Sequence, residues 1–279
     1  MLTRRNFVSS ALGLTAVATL AACGGGASDS ADAGAELQVL TVAATPEPHA
    51  KILTEFAAPK LKDKGIDLQV TEFTDYVQPN EVVFNGEIDA NYFQHINYLR
   101  DYNQQNNEDL VSVAKIHYEP FGIYAGKSDD LTNIADGAEV AVPNDPTNEA
   151  RALLLLQQAG LIKLKDPEDL GATPNDIAEN PHNITFREIE AAATPRALED
   201  VDFAAINGNY ALEAGLHAAD AIVLEEASGI AFEEYANVIV TSSDKENDER
   251  IAALVAVLTT DDFKAYLEEN FGEDVLAAF

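Results

Sequence analysis

From residue 37 to the end of the chain, short apolar runs alternate with apolar positions at helical spacing. Residues 37–43 (LQVLTVA) read as a strand. Within 49–64, Ile52, Leu53, Phe56 and Leu61 fall on one helical face, and Gly65 stands where a helix C-cap favours glycine. Residues 66–71 alternate with period two and predict a second strand. A short helix at 79–84 and a third strand at 88–93 follow. The layout then begins again, with a strand at 139–142, turn residues at 143–148 and a helix at 149–159 closed by Gly160. Further strands read at 183–186, 201–206 and 238–241. No heptad pattern or repeat of about 20–50 residues interrupts this order. It predicts an α/β fold with mainly parallel sheets, arranged as two units. In such sheets ligands sit beyond the carboxyl ends of the strands, so the turns just after strands are where chemistry is expected.

Ahead of this body lies a different pattern. Arg4 and Arg5 precede an apolar run to Leu20, shorter than the ~20 residues a bilayer span needs, and small residues follow it. Residues 1–22 thus read as an export signal, and Thr3-Arg4-Arg5-Asn6-Phe7-Val8 resembles a twin-arginine signal. Leu20-Ala21-Ala22-Cys23 resembles a bacterial lipobox, whose cysteine is lipidated. Cys23 is the only cysteine, which excludes an intramolecular disulfide and a CxxC metal site. Residues 23–36 have the Gly/Ala/Ser/Asp composition of a flexible tether. The expectation is a globular body anchored by lipid to the extracytoplasmic face of a cell membrane.

Charge narrows the function. With 17 Lys and Arg against 48 Asp and Glu, the formal charge is −31. A basic footprint for nucleic acid is missing, as is one for docking on an anionic lipid surface. The 47% of hydrophobic residues in the 279-residue chain suffices for a sizeable core.

Three turns after strands hold candidate chemistry. The first, 91–98, gathers Tyr92, Phe93, His95 and Tyr98; these either pack as core or line an apolar slot in which His95 or Tyr98 supplies an oriented hydrogen bond. In the second, Asp145 followed by Pro146 predicts the start of the helix, whose free N–H groups suit an anion. Arg151 stands one turn further on, able to grip a carboxylate or to pair with Asp145 or Glu149 on the surface. The third, Asn207-Gly208-Asn209, is either a plain loop or a polar partner for an amine. His49 either caps or lines the cleft, or is an ordinary surface histidine. Nucleophile elbows, P-loops, dinucleotide fingerprints and HExxH are all missing, and the five histidines show no helical zinc pair. This favours a binder without cofactor or metal over an enzyme.

Several stretches together resemble the NlpA/MetQ lipoproteins, methionine-binding receptors of ABC uptake transporters. They are ATPEPH at 44–49, GEIDANYFQH at 86–95, YEPFGIY at 118–124, VPNDPTN at 142–148 with Arg151, PRAL at 195–198 with Asp200 and Asp202, and INGNY at 206–210. The resemblance implies a two-lobed periplasmic-binding-protein fold, type II-like, with crossings near 122–124 and 231–237. Lobe one would comprise 37–122 plus 236–279 and lobe two 123–235. It implies that Tyr76, Phe93, His95 and Tyr98 form the side-chain pocket, that Arg151 with Asn148 holds the ligand carboxylate, and that Asn209 with Asn207 meets the α-amine. The implied ligand is L-methionine, handed to the permease and ATPase subunits of an ABC importer. D-methionine, a methionine derivative, a short peptide or another apolar amino acid are the alternatives, with a non-transport surface lipoprotein beyond them. Which acid supports the amine is left open.

Overall fold

The computed structural model describes residues 37–227 and 229–279, so the expected export signal, Cys23 and the tether lie outside the described residues. In chain order the strands are β1 (Gln38–Ala44), β2 (Ile66–Glu72), β3 (Ala90–His95), β4 (Val111–Tyr118), β5 (Gly122–Ala125) and β6 (Glu139–Pro143). They continue with β7 (Lys163–Leu164), β8 (Ile177–Glu179), β9 (Thr185–Ile189), β10 (Phe203–Ile206), β11 (Val223–Leu224), β12 (Ala236–Thr241) and β13 (Leu276–Ala277). Six form one sheet in the order β13-β4-β12-β3-β1-β2; five form a second, β11-β5-β10-β6-β9; β7 and β8 make a small ribbon.

The α/β class stands, but the sheets are mixed where mainly parallel ones were expected. In the first sheet β2, β1 and β3 run parallel, because helical segments carry the chain back between them. β12 arrives from the second sheet and inserts between β3 and β4, antiparallel to both. The second sheet repeats the scheme, with β9, β6 and β10 parallel and β5 antiparallel to β10. β3, β10 and β12 are buried along their whole length, as strands covered on both faces must be.

Local rules explain most boundaries. The chain turns at Pro46–Ala50 and runs helically through Ile52–Ala57 and Ala58–Lys62, ending before Gly65, which has φ +81°. The third strand begins at Ala90, two residues later than expected. Asp89 is held out of the ladder by Thr41, Lys245 and Arg250, which hydrogen-bond its carboxylate. The helix Pro146–Gln158 starts as its sequence requires, with Asp145 accepting from the Asn148 amide at 3.0 Å. Among the described residues no helix is long and apolar enough to cross a membrane.

Among the described residues, the two largest of four apolar clusters flank the sheets. Leu40, Val42, Ile52, Leu53 and Phe263 anchor one, and Val140, Leu153, Leu156 and Phe203 the other.

Candidate functional site

The carboxyl ends of β3, β4 and β10, with the turn after β2 and the start of Pro146–Gln158, line a small cavity. Tyr76, Phe93, His95, Tyr98, Asn148, Arg151, Asn207 and Asn209 all line it, although they come from four separate chain segments.

The first wall is aromatic. Phe93 and His95 lie two apart on β3 and so share a face. Tyr98 follows in the first turn of helix Ile96–Asn106, where the His95 ring caps the helix by accepting from the Tyr98 amide at 3.0 Å. Tyr76 packs 5.8 Å from both Phe93 and Tyr98 and 4.9 Å from Tyr210, centroid to centroid. Its hydroxyl donates to Asn209 Oδ1 at 2.5 Å, and Tyr98 donates to the Tyr76 carbonyl at 2.9 Å. These rings form an aromatic slot whose two tyrosine hydroxyls are engaged by Asn209 and the Tyr76 carbonyl.

Because His95 Nδ1 accepts the Tyr98 amide, its proton sits on Nε2, which donates to Asn148 Oδ1 at 3.2 Å. Burial, aided by the nearby Arg151, lowers His95 to about 3, so the ring is neutral. Asn148 is fully engaged: Oδ1 also accepts from Asn207 at 2.8 Å, and Nδ2 donates to Asp145. In this arrangement Asn148 braces the wall and has no group left over for a ligand.

Arg151 is 4% exposed and paired, though with neither Asp145 nor Glu149. Its Nε and Nη2 hold the Glu225 carboxylate at 2.5–3.1 Å, and Nη2 also donates to the Glu119 carbonyl at 3.0 Å. The guanidinium stacks on Tyr235 at 4.2 Å and Phe121 at 5.0 Å. Asp145 is spent on capping, and Glu149 is raised to about 7 by burial and by Glu188, so neither serves. Burial opposes the charge of Arg151 and Glu225 more than restores it. Nη1 has no hydrogen-bond partner among the described residues, leaving one edge of the fork for an anion.

The opposite wall carries an acid that sequence reasoning left unidentified. Glu119, just after β4, is 5% exposed and lines the cavity. Burial raises its carboxyl above the ordinary range, partly offset by His49 and Arg151. Its nearest side-chain partners are His117 and His49, which burial keeps neutral, and Arg151 reaches only its backbone carbonyl, so the carboxylate has no directly paired cation. Asn207 Oδ1 is buried without a partner, a second open acceptor, whereas Asn209 Oδ1 is taken by Tyr76. Gly208 is required here for a steric reason: a Cβ would stand 2.7 Å from Glu119 Cβ. Asn237 of β12 also lines the cavity and was not singled out in the sequence.

His49 is 1% exposed rather than on the surface, and it meets His117 and Glu119 in the one His/Glu cluster of metal-ligand spacing among the described residues. Its donors are engaged with one another and with neighbouring side chains, as a hydrogen-bonded set.

The family model for NlpA lipoprotein matches residues 40–279. The chain belongs to the NlpA lipoprotein family. Among solved structures, this NlpA lipoprotein is similar to a nutrient-binding protein from Burkholderia cenocepacia bound to methionine, at 38% identity and a TM-score of 0.81, covering 86% of this chain and 100% of that one. The substrate-binding protein of a methionine transporter from Streptococcus pneumoniae is 35% identical with a TM-score of 0.81, over 86% and 96% of the two chains. The D-methionine-binding lipoprotein MetQ of Salmonella typhi is 42% identical over 75% of this chain and 78% of its own length. These relatives are substrate-binding proteins of the two-lobed type.

Proposed function

We propose that this NlpA lipoprotein is a lipid-anchored receptor that captures L-methionine in the cavity and hands it to the membrane subunits of an ABC importer. One observation carries the reading: an unpartnered guanidinium edge, a buried carboxylate with no directly paired cation and an aromatic slot face a single space. A free amino acid needs an anion grip and an amine partner, and a thioether needs a soft, ring-lined slot. Arg151 Nη1 takes the α-carboxylate, while Glu119 and Asn207 Oδ1 take the ammonium. Tyr76, Phe93 and Tyr98 pack the thioether beside His95. Asn148 and Asn209 act through Asp145, His95 and Tyr76, holding the rim.

The lobes we assign are 37–122 plus 236–279 and 123–235, following the membership of the two sheets. The aromatic slot belongs to lobe one, and Arg151, Asn207 and Asn209 to lobe two. Ligand therefore bridges them and favours the closed state, the differential affinity that closure requires. Residues 1–22 direct export and Cys23 carries the lipid, placing the body on the extracytoplasmic face.

The test is thermal unfolding with the twenty L-amino acids, D-methionine and methionine sulfoxide, after bound ligand has been removed by unfolding and refolding. L-methionine at a hundredfold excess over its Kd is expected to add about 2.7 kcal/mol, roughly 5–10 °C for a chain of this size. A larger shift with D-methionine or the sulfoxide moves the ligand and keeps the site. Silence across the panel overturns the receptor reading. For the anchor, Cys23→Ser is expected to release the protein from the membrane fraction and abolish palmitate labelling.

A further inference from the structure

His49 and His117 converge on Glu119 from different elements, His49 from the turn Pro46–Ala50 and His117 from β4. Both are buried, 1% and 0% exposed, with ring centroids 5.0 Å apart. Every ring nitrogen is engaged. His117 Nδ1 meets the Tyr92 hydroxyl, and its Nε2 lies 2.6 Å from Glu119 Oε1. His49 Nδ1 lies 2.8 Å from Thr45 Oγ1, and its Nε2 is 3.0 Å from Asn237 Oδ1 and 3.4 Å from Glu119 Oε1.

The partners fix the tautomers. The Asn237 amide oxygen only accepts, so His49 Nε2 carries hydrogen, and His117 Nε2 carries one when it donates to the Glu119 carboxylate. Both Nδ1 atoms then accept, from the Tyr92 and Thr45 hydroxyls. Two directed relays result, Tyr92 to His117 to Glu119 and Thr45 to His49 to the Asn237–Glu119 edge.

The neutrality of these donors matters. A charged imidazolium would stabilise Glu119 but cancel its charge and repel an incoming ammonium. A neutral N–H fixes the carboxylate in place and leaves its charge for the ligand. Burial holds His49 near 4 and His117 near 3, which keeps both rings neutral at ordinary pH.

We infer that His117, set by Tyr92, and His49, set by Thr45, are positioning residues that hold the Glu119 carboxylate aimed at the cavity, making the site selective for ligands with a cationic amine. This rests on the reading of Glu119 as the ammonium partner. The other titratable groups facing Glu119 are Arg151, Glu213, Tyr76 and Tyr92.

The test compares methionine with 4-(methylsulfanyl)butanoate, which lacks the amine, by calorimetric titration of the intact chain over a pH series. The wild type is expected to prefer methionine and to lose that preference as acid protonates Glu119. His117→Leu should weaken methionine roughly tenfold or more, leave the analogue unchanged, and move the acid loss to higher pH. His117→Gln, whose amide N–H replaces Nε2–H, should recover most of the preference. Tyr92→Phe should give a smaller loss in the same direction, and it carries the test if His117→Leu does not fold. Equal weakening of both ligands, or no change in preference, overturns the positioning role. Glu119→Gln separates the two claims. Loss of preference there without loss in the histidine variants sinks this inference alone, whereas retained preference in Glu119→Gln sinks the reading of Glu119 itself.

Discussion

The cavity has two charged ends, and the protein treats them oppositely. At one end Arg151 is matched inside the fold, held by Glu225 and stacked on Tyr235, with a single edge of the fork left over. At the other, the Glu119 carboxylate is fixed by neutral histidines and has no directly paired cation. A buried ion pair offsets much of its own desolvation, whereas a buried lone anion is stabilised when a proton or a cation arrives. The first end is thus scaffold as much as site. The second is where occupancy changes the electrostatics most.

The most drastic way to break this contrast is Arg151→Ala. It strands Glu225 in the interior, and we expect about 3–5 kcal/mol of lost stability together with loss of ligand binding. Denaturant unfolding measures the first and calorimetry the second. Adding Glu225→Gln should recover much of the stability and none of the binding. Recovery of both would make the pair purely structural.

Glu119→Gln attacks the other end and should separate stability from binding in the opposite way. Methionine affinity is expected to fall by about 1.5–3 kcal/mol, while the empty protein loses nothing. The pH dependence follows from the sign of the shift. The folded carboxyl is raised above its unfolded value, so the folded state binds the extra proton between those two pKa values. On this group the empty protein is then less stable as pH rises through that window, while ligand capture strengthens. Both trends should flatten in Glu119→Gln. A persistent stability trend would assign it to Glu213 or Glu149, each raised to about 7 by burial.

Gly208→Ala sharpens the comparison by geometry alone. Its Cβ would displace the Glu119 side chain while leaving the Arg151–Glu225 pair in place, with an expected cost of about 1–3 kcal/mol in unfolding and a larger loss for methionine than for its analogue without the amine. The smallest effect is expected from Tyr76→Phe, which removes the hydroxyl that occupies Asn209 Oδ1, about 1 kcal/mol of affinity by calorimetry.

How legible these ends were in the chain depends on the range of the interactions that make them. The start of Pro146–Gln158 followed from Asp145 and Pro146, and β1 and β2 from their alternation, because those rules act within a few residues. Arg151 could be ranked but its partner could not: the acids near in sequence were Asp145 and Glu149, and the one that binds it is 74 residues away. Glu119 had a signal that went unused, a lone acid in the apolar run HYEPFGIY at a strand end, where a charge without a function is costly. His117 had none, since its importance comes from lying opposite His49 across the fold. The mixed sheets escaped for the same reason, as helix–strand alternation cannot reveal where a returning strand inserts.

That insertion has a consequence for how the molecule is made. β12 is a central strand of the first sheet, yet in chain order it follows every strand of the second sheet. Until it arrives, β3 and β4 each present an unpaired edge, the kind of surface that recruits other chains. Closing the gap joins residues more than a hundred positions apart, a high contact order that slows folding. A nascent chain ending before residue 236 therefore holds every strand of the second sheet beside a first sheet split down its middle, and in that interval the open edges are exposed to pairing with other copies.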